Sequence, residues 1–291
     1  MDKYEPEVLD STAIMTYKTC PRKYQYRMVY GYDVKDTMPY FAFGTAYHKF
    51  REQLELEPKE QDDKITFQNA AARAIQHWNV AGVEAPVGTK WDFLNTARLI
   101  QSLQTAFTHW KKEKHEGKIV VVASEQSFSL RLPDGTITGG RADQIVRWNG
   151  KVWGRDFKTS SKLGPFYERT LEPNDQFTRY TWAESQLAGE KVQGQIVEVL
   201  YNSKKEGPKI IPYMTSRTEW QLETWIKEHR FWTNQIRQSR EQNLYPMNEK
   251  SCAFCEFHSV CKMPSEPSML QHLKSNYKLN PWRFEDIHGE A

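Results

Sequence analysis

Apolar positions recur every three to four residues in the first third of the chain and every second residue in the middle. That change of period divides the sequence. Ala46, Phe50 and Leu54 stand four apart and predict a helix over Gly44 to Glu57. Ile65 to Trp78 and Phe93 to Trp110 repeat the amphipathic spacing, and Ser11 to Tyr30, a mixture of apolar and basic residues, starts helical. From Ile119 the texture becomes β-branched and alternating. It predicts strands over Ile119 to Leu132, Thr136 to Trp148 and Lys151 to Lys158, separated by Pro133-Asp134-Gly135 and Asn149-Gly150. Asn-Gly is the strongest two-residue hairpin signal. A helix over Asn174 to Ala188, strands over Val192 to Tyr201 and Lys209 to Met214, and a long helix over Ser216 to Gln242 follow. Helices followed by an antiparallel meander, then helix, strands and helix, predict an α/β fold with helices wrapped around one central sheet. Residues 1–265 are expected as a single domain and 266–291 as a polar tail.

Composition narrows the partners only a little. The 291 residues include 40 Lys+Arg and 37 Asp+Glu, a net charge of +3. That is too small to identify a nucleic-acid binder, and it leaves room for a local basic groove. Ten Trp, 14 Tyr and 14 Phe point to an aromatic-rich interior or binding surface. No apolar run approaches the roughly 18 residues of a membrane span, so no membrane partner is expected. The polar, acidic start lacks a signal-peptide core, and a cytoplasmic location is expected. No Gly-x-x-x-x-Gly-Lys phosphate loop is present, which argues against a helicase.

The third strand ends in Asp156-Phe157-Lys158. Side chains at i and i+2 on a strand share a face, so Asp156 and Lys158 point together and Phe157 turns away. If Asn149 and Gly150 form the hairpin loop, the register places Asp143, within Gly139-Gly140-Arg141-Ala142-Asp143, directly opposite Asp156. Two facing carboxylates repel unless a cation lies between them. The hard, oxygen-seeking Mg²⁺ or Mn²⁺ is the natural occupant. Lys158 beside such an ion is placed to hold an attacking water. An Asp-x-Lys triplet alone says little, because solvated strands often carry one; the opposed Asp143 is what sharpens it.

Cys20 stands alone near the start, while Cys252, Cys255 and Cys261 cluster near the end. Disulfides are rare in the cytosol, and three closely spaced thiols suggest a metal site. Four thiolates suit either tetrahedral Zn²⁺ or a [4Fe-4S] cluster, and spacing alone does not separate them. Either would join the two ends of the chain. Closing a loop of roughly 230 residues restricts the unfolded chain by several kcal/mol.

Gly140-Arg141-Ala142-Asp143 followed by Asp156-Phe157-Lys158-Thr159 resembles the motif pair of the PD-(D/E)XK nucleases. The likeness is greatest to the RecB-like branch, which includes the iron–sulfur CRISPR-associated exonucleases and the AddB nuclease domain. Gly44-Thr45-Ala46-Tyr47-His48 and Gln176-Phe177-Thr178-Arg179-Tyr180 resemble two further motifs of that branch, and Cys20 with Cys252, Cys255 and Cys261 matches the layout of its iron–sulfur members. The resemblance covers about residues 9 to 263. It implies a restriction-endonuclease-like core, a central mixed β-sheet flanked by helices, with an iron–sulfur staple joining the N- and C-terminal segments.

It also implies metal ligation by His48, Asp143, Asp156 and the carbonyl of Phe157, and catalytic roles for Lys158, Glu125 and Gln176. Tyr180 and Arg141 are expected to contact DNA. The implied activity is metal-dependent hydrolysis of phosphodiester bonds, as an exonuclease on DNA ends or single strands, in repair, recombination or phage DNA metabolism. The rival reading is a catalytically silent DNA-binding or recombination accessory protein on the same fold.

Overall fold

A computed structural model describes residues 4, 6, 8–58, 61–83, 85 and 88–285. Two short helices open the chain, α1 (Ser11–Thr19) and α2 (Pro21–Tyr24), and a π-helical turn over Gln25–Val29 leads to β1 (Tyr32–Asp33). Three long helices follow, α3 (Pro39–Leu56), α4 (Asp63–Ala81) and α5 (Thr96–Glu116). Next come β2 (Ile119–Arg131), β3 (Ile137–Trp148) and β4 (Lys151–Ser160). The turn α6 (Pro165–Glu168) and helix α7 (Asp175–Ala188) precede β5 (Val192–Tyr201) and β6 (Lys209–Ser216). The chain continues through α8 (Glu219–Gln242), a 3-10 turn over Glu249–Phe254, α9 (His258–Cys261), α10 (Glu266–Asn276) and β7 (Lys278–Leu279).

Local chemistry fixes the helix ends. Asp62 caps α4 by accepting the N–H groups of Lys64 and Ile65, at 2.8 and 3.3 Å. Asn95 accepts from Arg98 N to start α5, which stops at Gly117, φ 61°. Asn174 and Gly189 bracket α7 in the same way. Helix α3 begins before the expected Gly44 because Pro39 occupies its first turn, where a missing N–H is harmless. Helix α8 begins at Glu219 and not at Ser216, because Ser216 is spent pairing with Gly194 in the sheet.

The chain divides into two compact units. One comprises Met1–Lys35, Ser127–Arg141 and Glu219–Ala291, the other Asp36–Gln126 and Ala142–Thr218. A five-stranded sheet in the order β2-β3-β4-β5-β6 organises the second unit. Asn149 (φ 50°) and Gly150 (φ 72°) supply the left-handed pair that a tight hairpin requires. The antiparallel register then runs from Trp148↔Lys151 to Gln144↔Arg155, as the two-residue loop dictates. Strands β4 and β5 are parallel, which demands a crossover, and α7 provides it. The sheet is therefore mixed, because β5 and β6 are again antiparallel.

Residue alternation separates the two faces. Phe157 and Leu200 join the apolar cluster built by α3, α4 and α5. Val197 and Val199 join Phe177 and Leu171 on the α7 side. Truncating a fully buried Phe such as Phe157 to Ala typically costs about 3–5 kcal/mol.

The first unit has a core of its own. Ile14, Tyr17, Tyr24 and Tyr26 pack with Ile236, Phe257 and Val260. Gly139 lies beneath it, and an added Cβ there would come to 2.4 Å from Phe284. The aromatic stripe of α8 splits: Trp225 is 4% exposed and Trp220 71%. Beyond Ser265, where the sequence reads as a polar tail, α10 and the residues after it send Leu273, Tyr277, Trp282 and Phe284 into this core. The apolar residues are scattered singly among polar ones, so composition concealed them. Among the described residues no helix is long and apolar enough to cross a membrane.

Candidate active site

Strand β4 leaves the hairpin with Asp156 2% exposed and the Lys158 side chain 31% exposed. The recorded ladder with β3 stops at Gln144↔Arg155. At the next position Asp143 Oδ2 accepts the backbone N–H of Phe157 at 2.8 Å. The two aspartates are thus neighbours across adjacent strands. Lys158 Nζ lies 2.6 Å from Asp156 Oδ2, and Gln176 Nε2, from the first turn of α7, donates to Asp156 Oδ1 at 3.3 Å. His48, on α3, brings Nδ1 to 3.4 Å from Asp143 Oδ2. Gly44 lies one turn before His48, where an added Cβ would stand 3.4 Å from Thr159 Oγ1, an ordinary contact, so the packing of α3 on the end of β4 does not demand a glycine.

The charges in this group do not cancel evenly. Burial alone would raise the Asp143 carboxyl, but His48 and Lys158 hold it below its ordinary value. Burial pushes the Asp156 carboxyl up, the Asp143 charge adds to that, and Lys158 opposes it only in part. His48 and Lys158 are depressed by burial yet raised on balance by the same carboxylates. Two acidic groups compete for one neighbourhood, and both cations are drawn to them.

A sequence model of the PD-(D/E)XK nuclease superfamily matches residues 11–262. The chain belongs to that superfamily. As a PD-(D/E)XK nuclease it is a hydrolase of phosphodiester bonds. Among solved structures, a Eubacterium rectale protein described as a candidate exonuclease is similar over 92% of this chain and 93% of its own. Its TM-score is 0.55 at 10% identity, a likeness of fold alone. The structure of SSO0001 covers 75% of this chain and 96% of its own at 14% identity, with a TM-score of 0.32 that carries no argument. No curated protein matches the chain in sequence.

Tyr180, Arg141 and Glu125 are the remaining expected site residues. Tyr180 follows Gln176 by one helical turn but is 6% exposed, so its ring offers no open face to a DNA strand. Arg141 is half-buried on β3. Glu125 is half-buried in β2 at φ 52°, a left-handed kink within the strand.

Sequence reasoning missed two buried polar groups. Glu184 on α7 is fully buried and accepts from Gln195 Nε2 at 2.6 Å. Burial, helped by Asp156 and Asp143, pushes its carboxyl well above its ordinary value. Gly154 makes room for it, since an added Cβ would stand 2.1 Å from Glu184 Oε2. The signal was available: Gln176, Tyr180 and Glu184 repeat at four-residue spacing on one helical face.

The second group lies on the other face of β4. Glu198 accepts the Tyr47 hydroxyl at 2.8 Å and pairs with Arg51 at 3.1 Å and with Arg155. Arg155 also reaches Glu113 at 2.6 Å. Burial would raise Glu198, but Arg155 and Arg51 bring it down to about 2. Among the described residues, His109, Glu113 and Glu198 alone form a group of three or more metal-type side chains with donor atoms within 4.8 Å of one another. Guanidinium groups already neutralise both of those carboxylates, and the group acts as an ion-pair network.

The four cysteines are free thiols in the first unit, Cys20 buried and the others half-buried. They do not meet that single-ion spacing. Burial raises the thiols of Cys255 and Cys261, and Cys261 feels the charges of Cys20 and Cys252 while Cys255 feels that of Cys261. Asn248 N points at Cys20 Sγ from 3.3 Å.

Proposed function

We propose that this nuclease of the RecB-like branch is a metal-dependent deoxyribonuclease, working as an exonuclease on DNA ends or single strands in repair, recombination or phage DNA metabolism. The observation that carries the reading is the pair Asp143 and Asp156 with Lys158 at 2.6 Å and His48 at 3.4 Å. Two carboxylates, one imidazole nitrogen and the Phe157 carbonyl are a donor set suited to Mg²⁺ or Mn²⁺, and the raised carboxyl of Asp156 marks a site short of positive charge. When bound, the ion supplies Lewis acidity to the scissile phosphate and to a water molecule.

The chain's own groups have separate tasks. Lys158, partly open to solvent, holds the attacking water and faces the negative charge that builds on the phosphoryl oxygens. Gln176 fixes the rotamer of Asp156 through its hydrogen bond. His48 and the Phe157 N–H hold Asp143 from two sides. Tyr180 serves by packing the helix that carries Gln176. Glu125 and Arg141 complete the proposed set, as a carboxylate near the metal and a DNA contact.

Cys20, Cys252, Cys255 and Cys261 are proposed to hold a [4Fe-4S] cluster, with structural Zn²⁺ as the alternative. The donor chemistry fits: four free thiols, three of them in mutual electrostatic range of Cys261, and a backbone N–H aimed at one sulfur. Absorption near 400 nm with stoichiometric iron and sulfide supports the cluster, and a colourless protein with one zinc overturns it.

The deciding test is end-labelled single- and double-stranded DNA incubated with Mn²⁺ and with EDTA. Nucleotides released from the ends by the wild type, and not by Lys158→Ala, support the proposal. DNA bound but never cut with either metal favours the silent accessory protein.

A further inference from the structure

A cavity of about 210 Å³ opens at the end of β4, where Thr159 and Ser160 follow Lys158. Its walls are aromatic: Tyr40 from α3, and Trp91 and Phe93 from the segment between α4 and α5. Lys162 stands at its edge. At about 3.3 Å per residue, the hydroxyl-bearing residues on its floor lie within one nucleotide's length of the Lys158 backbone.

We infer that this cavity is a subsite for one unpaired nucleobase of a single-stranded substrate, stacked against Trp91 and Tyr40 beside the phosphate that Lys158 faces. The inference rests on the DNA-cleaving reading and narrows its substrate. Tyr40 and Trp91 have ring centroids 5.0 Å apart, and Tyr40 is 36% exposed. Trp91 and Phe93 are half-buried, so a planar guest has faces to meet. The cations needed for the flanking phosphates are present: Lys90 Nζ lies 4.9 Å from the Trp91 centroid, and Lys162 Nζ lies 5.6 Å from that of Phe166. Aromatic platforms bordered by cations are how proteins hold unpaired strands without reading sequence.

The platform is preformed. Asp92, next to Trp91, is held by Lys204 Nζ at 2.8 Å and by Gly88 N at 3.2 Å. Leu94 N closes a turn onto the Trp91 carbonyl at 2.9 Å. Ser160 Oγ accepts from Lys162 N at 3.0 Å and donates to its carbonyl at 2.8 Å, fixing the polar edge. A base within a duplex is covered on both faces by its neighbours and has no face to give. The cavity therefore selects a single strand or a frayed end.

The test uses the full-length chain carrying Lys158→Ala, with Mn²⁺, and fluorescence anisotropy of labelled DNA. Adding Trp91→Ala should weaken binding of a single-stranded oligonucleotide about ten-fold, within the range of one lost base stack. Binding of a blunt duplex should be unchanged, and Trp91→Phe should restore most of the loss. An abasic site moved along the strand should cost the same ten-fold at one position near the end, and nothing more when combined with Trp91→Ala. Tyr40→Ala, at a more exposed position, guards against a folding defect at Trp91. Equal losses for single strand and duplex, or no abasic position that matters, overturn the subsite. The wild type run in parallel keeps the two claims apart: cleavage without abasic sensitivity leaves the nuclease reading standing, and abasic sensitivity without cleavage leaves the subsite standing.

Discussion

The two faces of β4 carry almost the same chemistry to opposite ends. On one face Arg155 meets Glu198, which also holds Arg51 and Tyr47, and all four side chains are buried. Burial opposes the charge on Glu198, two guanidiniums overcome it, and the carboxyl ends near 2. On the other face Asp156 meets Lys158 and Gln176, but a second carboxylate, Asp143, presses on the same space, and Asp156 ends above its ordinary value. A buried charge cluster whose signs balance is a structural joint. One whose signs conflict, at a half-open edge, stores a demand for a cation and is where chemistry is expected.

The sharpest way to break that contrast is to unbalance the closed face. Glu198→Gln removes the charge that two buried arginines share, and stability should fall by about 3–5 kcal/mol. Thermal melting would report it as a drop on the order of 10 °C, while cleavage measured well below the transition persists. An unchanged melting temperature would mean the network does not hold the fold. Next in size, Lys158→Ala should cut cleavage by about 10²–10³-fold, roughly 3–4 kcal/mol of transition-state stabilisation, while DNA binding is retained. Activity within a few-fold of the wild type would remove Lys158 from the reaction.

Much of this is legible in the sequence. The Asn149-Gly150 hairpin alone fixed the β3–β4 register, and so brought Asp143 beside Asp156. The readings of Phe93 to Trp110 and Asn174 to Ala188 as helical located the helices found at Thr96–Glu116 and Asp175–Ala188. The Arg51–Glu198–Arg155 network was not legible, because its members come from α3, β5 and β4 and only the parallel β4–β5 pairing brings them together. Nor was the role of residues 266–285: Leu273, Trp282 and Phe284 are too far apart to form a period, and their burial depends on surfaces supplied elsewhere in the first unit.

A smaller effect tests the open face without catalysis. In EDTA, Asp156→Asn should raise stability by about 1 kcal/mol at neutral pH, because it removes the carboxylate that burial and Asp143 disfavour. The same change should abolish the extra melting temperature that Mn²⁺ gives the wild type. A variant less stable than the wild type in EDTA would show that the pair with Lys158 outweighs the conflict with Asp143.

The mildest prediction concerns Glu184, which sits with Gln195 behind Gly154 and owes its elevated carboxyl to burial first and to Asp156 and Asp143 after it. An unfolded Glu releases its proton near pH 4.3, whereas the folded one keeps it well above that. The folded state therefore binds the extra proton, and its stability is greatest in acid and declines as pH rises toward the folded value. Glu198 runs the other way: its stabilising charge is present above pH 4–5 and lost as pH falls toward about 2. Glu184→Gln keeps the shape and the amide pairing while deleting the titration. Melting curves in EDTA across pH 5 to 9 should show the variant gaining on the wild type steadily as pH increases, by a few degrees for each kcal/mol of lost proton linkage. Parallel curves would mean that Glu184 is ionised in the folded chain, and that the α7 face of β4 carries a third negative charge in need of a cation.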